Sequence, residues 1–146
     1  MATTRFRFLP KTATADVAFK AFGSSPAMLI TNAALAVESV MVDLRTIKPD
    51  RVITKDFDAP SLEKLVFNVL DELVFLKDAE QFLASKIKVK VRKQTDKNIK
   101  AVVELEGQKI SQKTMTLHND VKAVTYHMFE VKKTKNGYEA TVLVDV

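Results

Sequence analysis

Leu62-Glu63-Lys64-Leu65-Val66-Phe67-Asn68-Val69-Leu70-Asp71-Glu72-Leu73-Val74 and, a short interval later, Lys86-Ile87-Lys88-Val89-Lys90-Val91-Arg92 carry two different periods. In the first stretch Leu62, Leu65, Val66, Val69, Leu70, Leu73 and Val74 fall on one stripe at helical spacing. Glu63, Lys64, Asn68, Asp71 and Glu72 fall on the other side. In the second, Ile87, Val89 and Val91 alternate with cations, the period of a strand with one wet face. The switch predicts a helix over 60–79, entered after Asp58-Ala59-Pro60, followed by antiparallel sheet. A polar turn at Asp96-Lys97-Asn98 leads into a second alternating run, Ile99, Ala101, Val103 and Leu105, which completes a hairpin.

Reading outward, Arg5 to Leu9 alternates and stops at Pro10, as a short strand does, and Lys11 to Ala15 is a loop. Asp16 to Phe22 reads as a strand closed by Gly23. Ser24-Ser25-Pro26 is a helix start, a hydroxyl cap followed by a proline whose missing N–H costs nothing there. Leu29, Ile30, Ala33, Ala34, Val37, Val40 and Met41 then predict a helix over 26–43, and Arg51 to Phe57 a short strand. Residues 107–120 are mostly polar and read as loop. Val121 to Lys132 and Tyr138 to Val146 form a closing hairpin turned at Lys135-Asn136-Gly137, where Asn-Gly favours a primed turn. The order is strand, strand, helix, strand, helix, four strands. That is an α+β domain spanning 1–146, with both helices covering antiparallel sheet and a helix-then-strand pattern that occurs twice.

The composition bounds the chemistry. The chain has 146 residues, 47% hydrophobic and 28% charged, enough for one core and not the composition of a disordered chain. It has no cysteine, so disulfides, thiolate metal sites and cysteine nucleophiles are excluded. The glycine-rich phosphate loop, the serine nucleophile elbow and the His-Glu-x-x-His zinc motif are all missing. No apolar signal segment precedes Pro10. The most apolar stretch, Ala27 to Val42, is interrupted by Thr31, Asn32 and Glu38 and is too short to span a bilayer. The expectation is a cytoplasmic protein with no membrane contact. Its net charge of +5 permits an RNA or an acidic partner without requiring one.

Candidate functional residues gather at the C-terminus. Asp145 ends an apolar, β-branched strand, where aspartate is disfavoured, and the Val146 carboxylate follows it. Asp16 opens another predicted strand. If those strands are neighbours, three carboxylates converge, an oxygen-only set suited to a hard cation such as Ca²⁺ or Mg²⁺. The plainer reading leaves Asp16 as a turn or cap residue and Asp145 as a solvated strand end. His127 alternates with Thr125 and Phe129 and reads as a packed core histidine, with His118 on a separate element. The run Lys86 to Lys93 reads as a solvated strand face whose charge discourages edge-to-edge pairing. An RNA-binding or chaperone face is the alternative, although no aromatic residue interleaves with its lysines.

Several blocks resemble the archease family: Thr14-Ala15-Asp16-Val17-Ala18-Phe19, Asn32-Ala33-Ala34-Leu35-Ala36, Met41-Val42-Asp43-Leu44, Asp71 to Glu80, Val121-Lys122-Ala123-Val124-Thr125-Tyr126-His127 and Leu143-Val144-Asp145-Val146. They run in order over essentially the whole chain. The resemblance implies a strand-helix-strand-strand module with a second such module inserted in it. It implies a protein cofactor, not an enzyme, of the RtcB-type RNA ligase that joins tRNA halves during tRNA splicing. Such a cofactor promotes guanylylation of the ligase's active-site histidine, supports further turnovers and broadens nucleotide use. Contact with tRNA is then indirect. The resemblance also implies that Asp16, Asp145 and Val146 bind a divalent cation, Ca²⁺ first with Mg²⁺ or Mn²⁺ as alternatives, and that Lys122 is functional. One departure is Ala13, where many relatives carry a histidine, so no role for that histidine transfers.

Overall fold

Two serines set where the helices begin. In a computed structural model that describes residues 4–10 and 16–146, the Met28 N–H donates to Ser25 Oγ at 3.2 Å, ahead of helix α1, Pro26–Met41. The Lys64 N–H donates to Ser61 Oγ at 3.1 Å, ahead of helix α2, Leu62–Glu80. Each serine satisfies an N–H that the first turn leaves without an intrahelical partner. The second helix therefore starts after Ser61 and not at Pro60. The first ends at Met41, short of Asp43, because Val42 turns extended (φ −156°) and bridges Leu117. Asp43 instead caps a short 3-10 turn, Leu44–Thr46.

Among the described residues seven strands form two antiparallel sheets. They are β1 (Phe6–Phe8), β2 (Asp16–Gly23), β3 (Arg51–Ala59), β4 (Phe82–Gln94), β5 (Ile99–Lys109), β6 (Ala123–Thr134) and β7 (Gly137–Asp145). The first sheet has the order β1-β2-β7-β6 and the second the order β3-β5-β4. Taken as modules, β2-α1-β6-β7 surrounds β3-α2-β4-β5, and both place their last strand in the middle. This is the nested strand-helix-strand-strand arrangement, with the helices on antiparallel sheet. The segment read as loop from residue 107 is strand as far as Lys109. The remainder is tied to the end of α1, where the His118 N–H donates to the Met41 carbonyl at 2.7 Å and the Asn119 N–H to the Val40 carbonyl at 3.1 Å. The Lys11–Ala15 loop and Ala13 lie outside the described residues.

Alternation along the strands fixes which face is dry. Phe19, Ala21, Ala140, Val142 and Val144 are fully buried beneath α1, so Asp16, Lys20, Glu139, Thr141 and Asp145 take the opposite face of the first sheet. Helix α1 also reaches β4, and α2, seated on the second sheet, reaches β6, so the buried side chains form one continuous core. The β6–β7 hairpin closes through Lys135 and Asn136, with Thr134 opposite Gly137. Both loop residues keep negative φ, so this is not the primed turn that Asn-Gly predicts. The positive φ, +144°, falls on Gly137. A Cβ there would sit 2.3 Å from the Gly23 carbonyl oxygen, which leaves room for glycine alone.

Candidate functional site

Asp16 and Asp145 occupy the first rung of the β2–β7 ladder, directly opposite one another. Residues paired this way place their Cβ atoms about 4.5–5.5 Å apart on one face of the sheet, within reach of a single ion. Both carboxylates, and Val146 beyond, are half-buried. On the other side of Asp145 the facing residue is Ala123, whose methyl adds no charge. Lys20, on the same face, is paired with Glu139 at 3.4 Å, and Lys132 with the same glutamate at 3.5 Å. Lys20 also lies four residues from Asp16, about 13 Å along the strand. Among the described residues no Lys or Arg forms an ion pair with either aspartate. Two carboxylates on one rung repel, and like charges directly opposite destabilise a sheet.

The donor set fits a hard cation: oxygen only and anionic. It is also small. No group of three or more His, Asp or Glu side chains capable of holding a metal exists among the described residues. An ion here would take Asp16 and Asp145, with the Val146 carboxylate as the third protein group. The corresponding first rung of the inserted module pairs Arg51 with Gly107, and Arg51 makes an ion pair with Glu80 at 2.9 Å. The acid pair therefore belongs to the outer module only.

Lys122 is exposed, and its N–H donates to the Asp145 carbonyl at 2.7 Å, which fixes its backbone against the acid pair. That contact prolongs the β6–β7 ladder one step past Ala123. The segment leading to it is held by Lys77. The Lys77 ammonium is nearly buried and contacts Asp120 at 2.6 Å and Asp78 at 2.5 Å. Burial pulls its pKa down, but the hydrogen bonds to Asp120 and Asp78 prevail and raise it.

His127 is not a core residue. Four residues of β6, Tyr126 to Phe129, face only Val142 of β7, and within this bulge His127 is exposed. Met128 adopts φ +62°, a left-handed conformation that costs a non-glycine residue roughly 1–2 kcal/mol. The bulge turns Tyr126 onto Phe67 of α2, with ring centroids 4.0 Å apart and planes 7° from parallel. Lys64 Nζ donates to the Tyr126 hydroxyl at 2.5 Å. The alternation Thr125-His127-Phe129 hid this, because extra residues in a strand reverse which side chains face the core.

Two of the polar residues that interrupt the apolar run of α1, Asn32 and Glu38, are buried. Glu38 of α1 is completely buried, and its carboxylate accepts the Ala84 N–H at 3.2 Å. Burial pushes its pKa from 4.5 to about 8, the Ala84 hydrogen bond opposing the rise, so the acid is protonated at neutral pH. Asn32 Nδ2 donates to the Phe22 carbonyl at 2.6 Å and ties α1 to the end of β2. The lysines of β4 are exposed as expected. Lys86 and Lys88 stand opposite Glu106 and Glu104, which offset their charge along the edge strand.

Known proteins share this architecture. Residues 6–146 match the archease protein family (MTH1598/TM1083). The chain is 34% identical over 142 residues to an archease of Archaeoglobus fulgidus, covering 97% of this chain and 99% of that protein. It is 30% identical over 133 residues to one of Methanosarcina barkeri, covering 91% of each. The solution structure of a Methanobacterium thermoautotrophicum protein superposes with a TM-score of 0.80 at 28% identity, over 97% of this chain and 99% of that one. The crystal structure of a Thermotoga maritima protein, described as an archease and possible chaperone, shares the fold with a TM-score of 0.60 at 19% identity, over 94% of this chain and 96% of that one. With the matched residues spanning nearly all of the sequence and the nested modules reproduced, the chain belongs to the archease family.

Proposed function

We propose that this chain is a non-enzymatic activator of an RtcB-type RNA ligase, acting in tRNA splicing by promoting guanylylation and repeated turnover of that ligase and by widening its nucleotide use. The observation that carries the reading is the Asp16–Asp145 rung: two half-buried acids opposed on one sheet face without a described cationic partner. Family membership supplies the class of partner.

In this reading Asp16, Asp145 and the Val146 carboxylate hold a divalent cation, Ca²⁺ before Mg²⁺ or Mn²⁺, because oxygen donors in a loosely built site suit the larger ion. Such a cation, when bound, supplies a positive centre able to polarise phosphate oxygens. The chain's own residues do the positioning. The β2–β7 ladder holds the two aspartates in register, and Ala123, facing Asp145 from β6, sets only a methyl beside it. Lys122, exposed and with its backbone bonded to Asp145, contacts phosphate or an acidic ligase residue. Contact with tRNA is through the ligase. Among the described residues no helix is long and apolar enough to cross a membrane.

The alternative, an RNA-binding or chaperone surface on Lys86 to Lys93, is less well supported. Glu104 and Glu106 lie across from two of these lysines, which lowers the field a phosphate backbone would meet. Guanylylation of purified ligase, measured with and without this protein, tests the proposal. Faster modification and more turnovers are expected, and no change in either would refute it.

A further inference from the structure

We propose that the first sheet carries a second ligand site, on the face turned away from α1 and at the end remote from the acid pair, and that this site takes a nucleoside phosphate. The inference is independent of the ligase-activator reading. Arg7 of β1 stands opposite Lys20 of β2, two cations on one rung, where like charges destabilise the ladder. Lys20 turns to Glu139 at 3.4 Å, and Lys132 reaches the same carboxylate at 3.5 Å. One acid is thus shared by two lysines. Arg7 forms no ion pair among the described residues, and none of residues 1–3 and 11–15 is acidic. Glu130, the next acid on this face, stands opposite Thr141 on β6, two strands and about 10 Å from Lys20. Three cations against one carboxylate leave an excess of two positive charges.

A cavity of about 600 Å³ opens over this cluster, with Arg7 and Glu139 in its wall. That is the size of sites that enclose small ligands. Phe22 and Tyr138, both half-buried, give the cavity flat apolar surface, and Ser24 and Thr134 add hydroxyls. The two turns that frame it are locked together. A Cβ on Gly137 would lie 2.3 Å from the Gly23 carbonyl oxygen and 2.8 Å from the Ser24 Cα, so the β2–α1 and β6–β7 connections touch backbone to backbone. Walls fixed in this way lower the ordering cost of binding.

The chemistry of the wall selects the ligand. An excess of two positive charges matches a phosphate monoester, which carries about −1.5 to −2 at pH 7. The planar guanidinium of Arg7 suits two phosphate oxygens at once. Glu139 is neutralised by its two lysines, so it accepts from sugar hydroxyls instead of repelling the phosphate. Phe22 and Tyr138 call for a flat ring, and every nucleobase offers a face that stacks on an aromatic side chain. A carboxylate would leave one cation unmatched, and inorganic phosphate would leave the rings uncovered. A free nucleotide and the phosphorylated end of an RNA strand present the same chemistry.

Calorimetric titration of the full chain at low salt tests this, with AMP, GMP, ribose 5-phosphate, adenosine and a 5′-phosphorylated trinucleotide as probes. Ribose 5-phosphate and adenosine should each bind about tenfold more weakly than AMP, since each lacks one half of what the wall recognises. Arg7→Glu should weaken AMP about tenfold or more, because it removes the guanidinium and occupies Lys20. The same change makes the rung attractive, so the melting temperature should stay at or above wild type, and lost binding is then not lost fold. No saturable binding of AMP or GMP would overturn the site and leave a solvated cluster of ion pairs. Equal affinity for AMP and ribose 5-phosphate, or AMP binding unchanged in Arg7→Glu, would overturn it too. A trinucleotide that binds tighter than AMP and is lost in Arg7→Glu supports the site with an RNA end as its natural source. One that binds no tighter than AMP supports it with the free nucleotide.

Discussion

Asp16 faces Asp145 across the β2–β7 ladder, the first residue of one strand against the last of the other. A sheet gains nothing from opposed carboxylates, and their separation is set by the ladder, so the repulsion between them cannot relax by moving the backbone. An arrangement that costs stability in isolation would recover it on meeting a cation, which is what the proposed site requires.

Removing one acid should therefore not harm the fold. Asp145→Asn is expected to melt at or slightly above the wild-type temperature without divalent ions. Calcium should raise the wild-type melting temperature and leave the variant nearly unmoved, since an ion that binds only the folded state stabilises it in proportion to its occupancy. A thermal-shift titration with Ca²⁺, Mg²⁺ and Mn²⁺ checks both halves and ranks the ions. Extension of the C-terminus past Val146 should weaken the calcium response in the same assay.

Glu38 gives a pH signature of its own. Its folded pKa of about 8 lies above the ordinary 4.5, so the folded state holds the proton more tightly than the unfolded one. The associated stability is fully present below about pH 4.5 and is lost as pH rises toward 8, amounting to roughly 4–5 kcal/mol at most across that window. Glu38→Gln, neutral at every pH and still able to accept the Ala84 N–H, should flatten that part of the stability profile. Glu38→Ala should cost about 2 kcal/mol or more, through a cavity and an orphaned N–H. Urea denaturation at pH 5, 6.5 and 8 distinguishes them.

Lys77 is expected to order the segment before Lys122. Its two aspartates are mostly solvent-exposed, which screens the pair, so Lys77→Ala should cost only about 1–2 kcal/mol globally. The sharper effect is local. Amide exchange should accelerate over residues 117–122, while the helices keep wild-type protection.

Changing Lys88 and Lys90 to Gln should leave ligase activation largely intact and lower solubility, because the edge strand loses its charge. Activation reduced as far as by Asp16→Ala would instead establish the basic strand as a contact surface.

Much of this was legible where local pattern and burial coincide. Ser25 and Ser61 announce the helices, the change of period after Val74 announces the second sheet, and Asp145 declares itself by standing in an apolar strand. That Asp16 and Asp145 share a rung follows only once β2 and β7 are known to pair, because register is a property of two strands and not of either alone. The β6 bulge left a signal that the pairing of Thr125, His127 and Phe129 passes over. The apolar positions run Val124, Tyr126, Met128 and then change phase to Phe129 and Val131, and Phe67, far away in sequence, shows where the break turns Tyr126. Glu38 was visible as a charge interrupting an apolar face. Its neutrality at pH 7 depends on β4 closing over it, which no local window contains.

The most direct measurement is the guanylylation rate and turnover number of the purified ligase alone, with this protein, and with its Asp16→Asn and Asp145→Asn variants. Wild type should accelerate guanylylation and sustain repeated turnover. Each variant, folded by its melting curve, should leave the ligase at its unassisted level. Stimulation by Asp145→Asn equal to wild type would contradict the assignment of the acid pair, and no stimulation by the wild type would contradict the function itself.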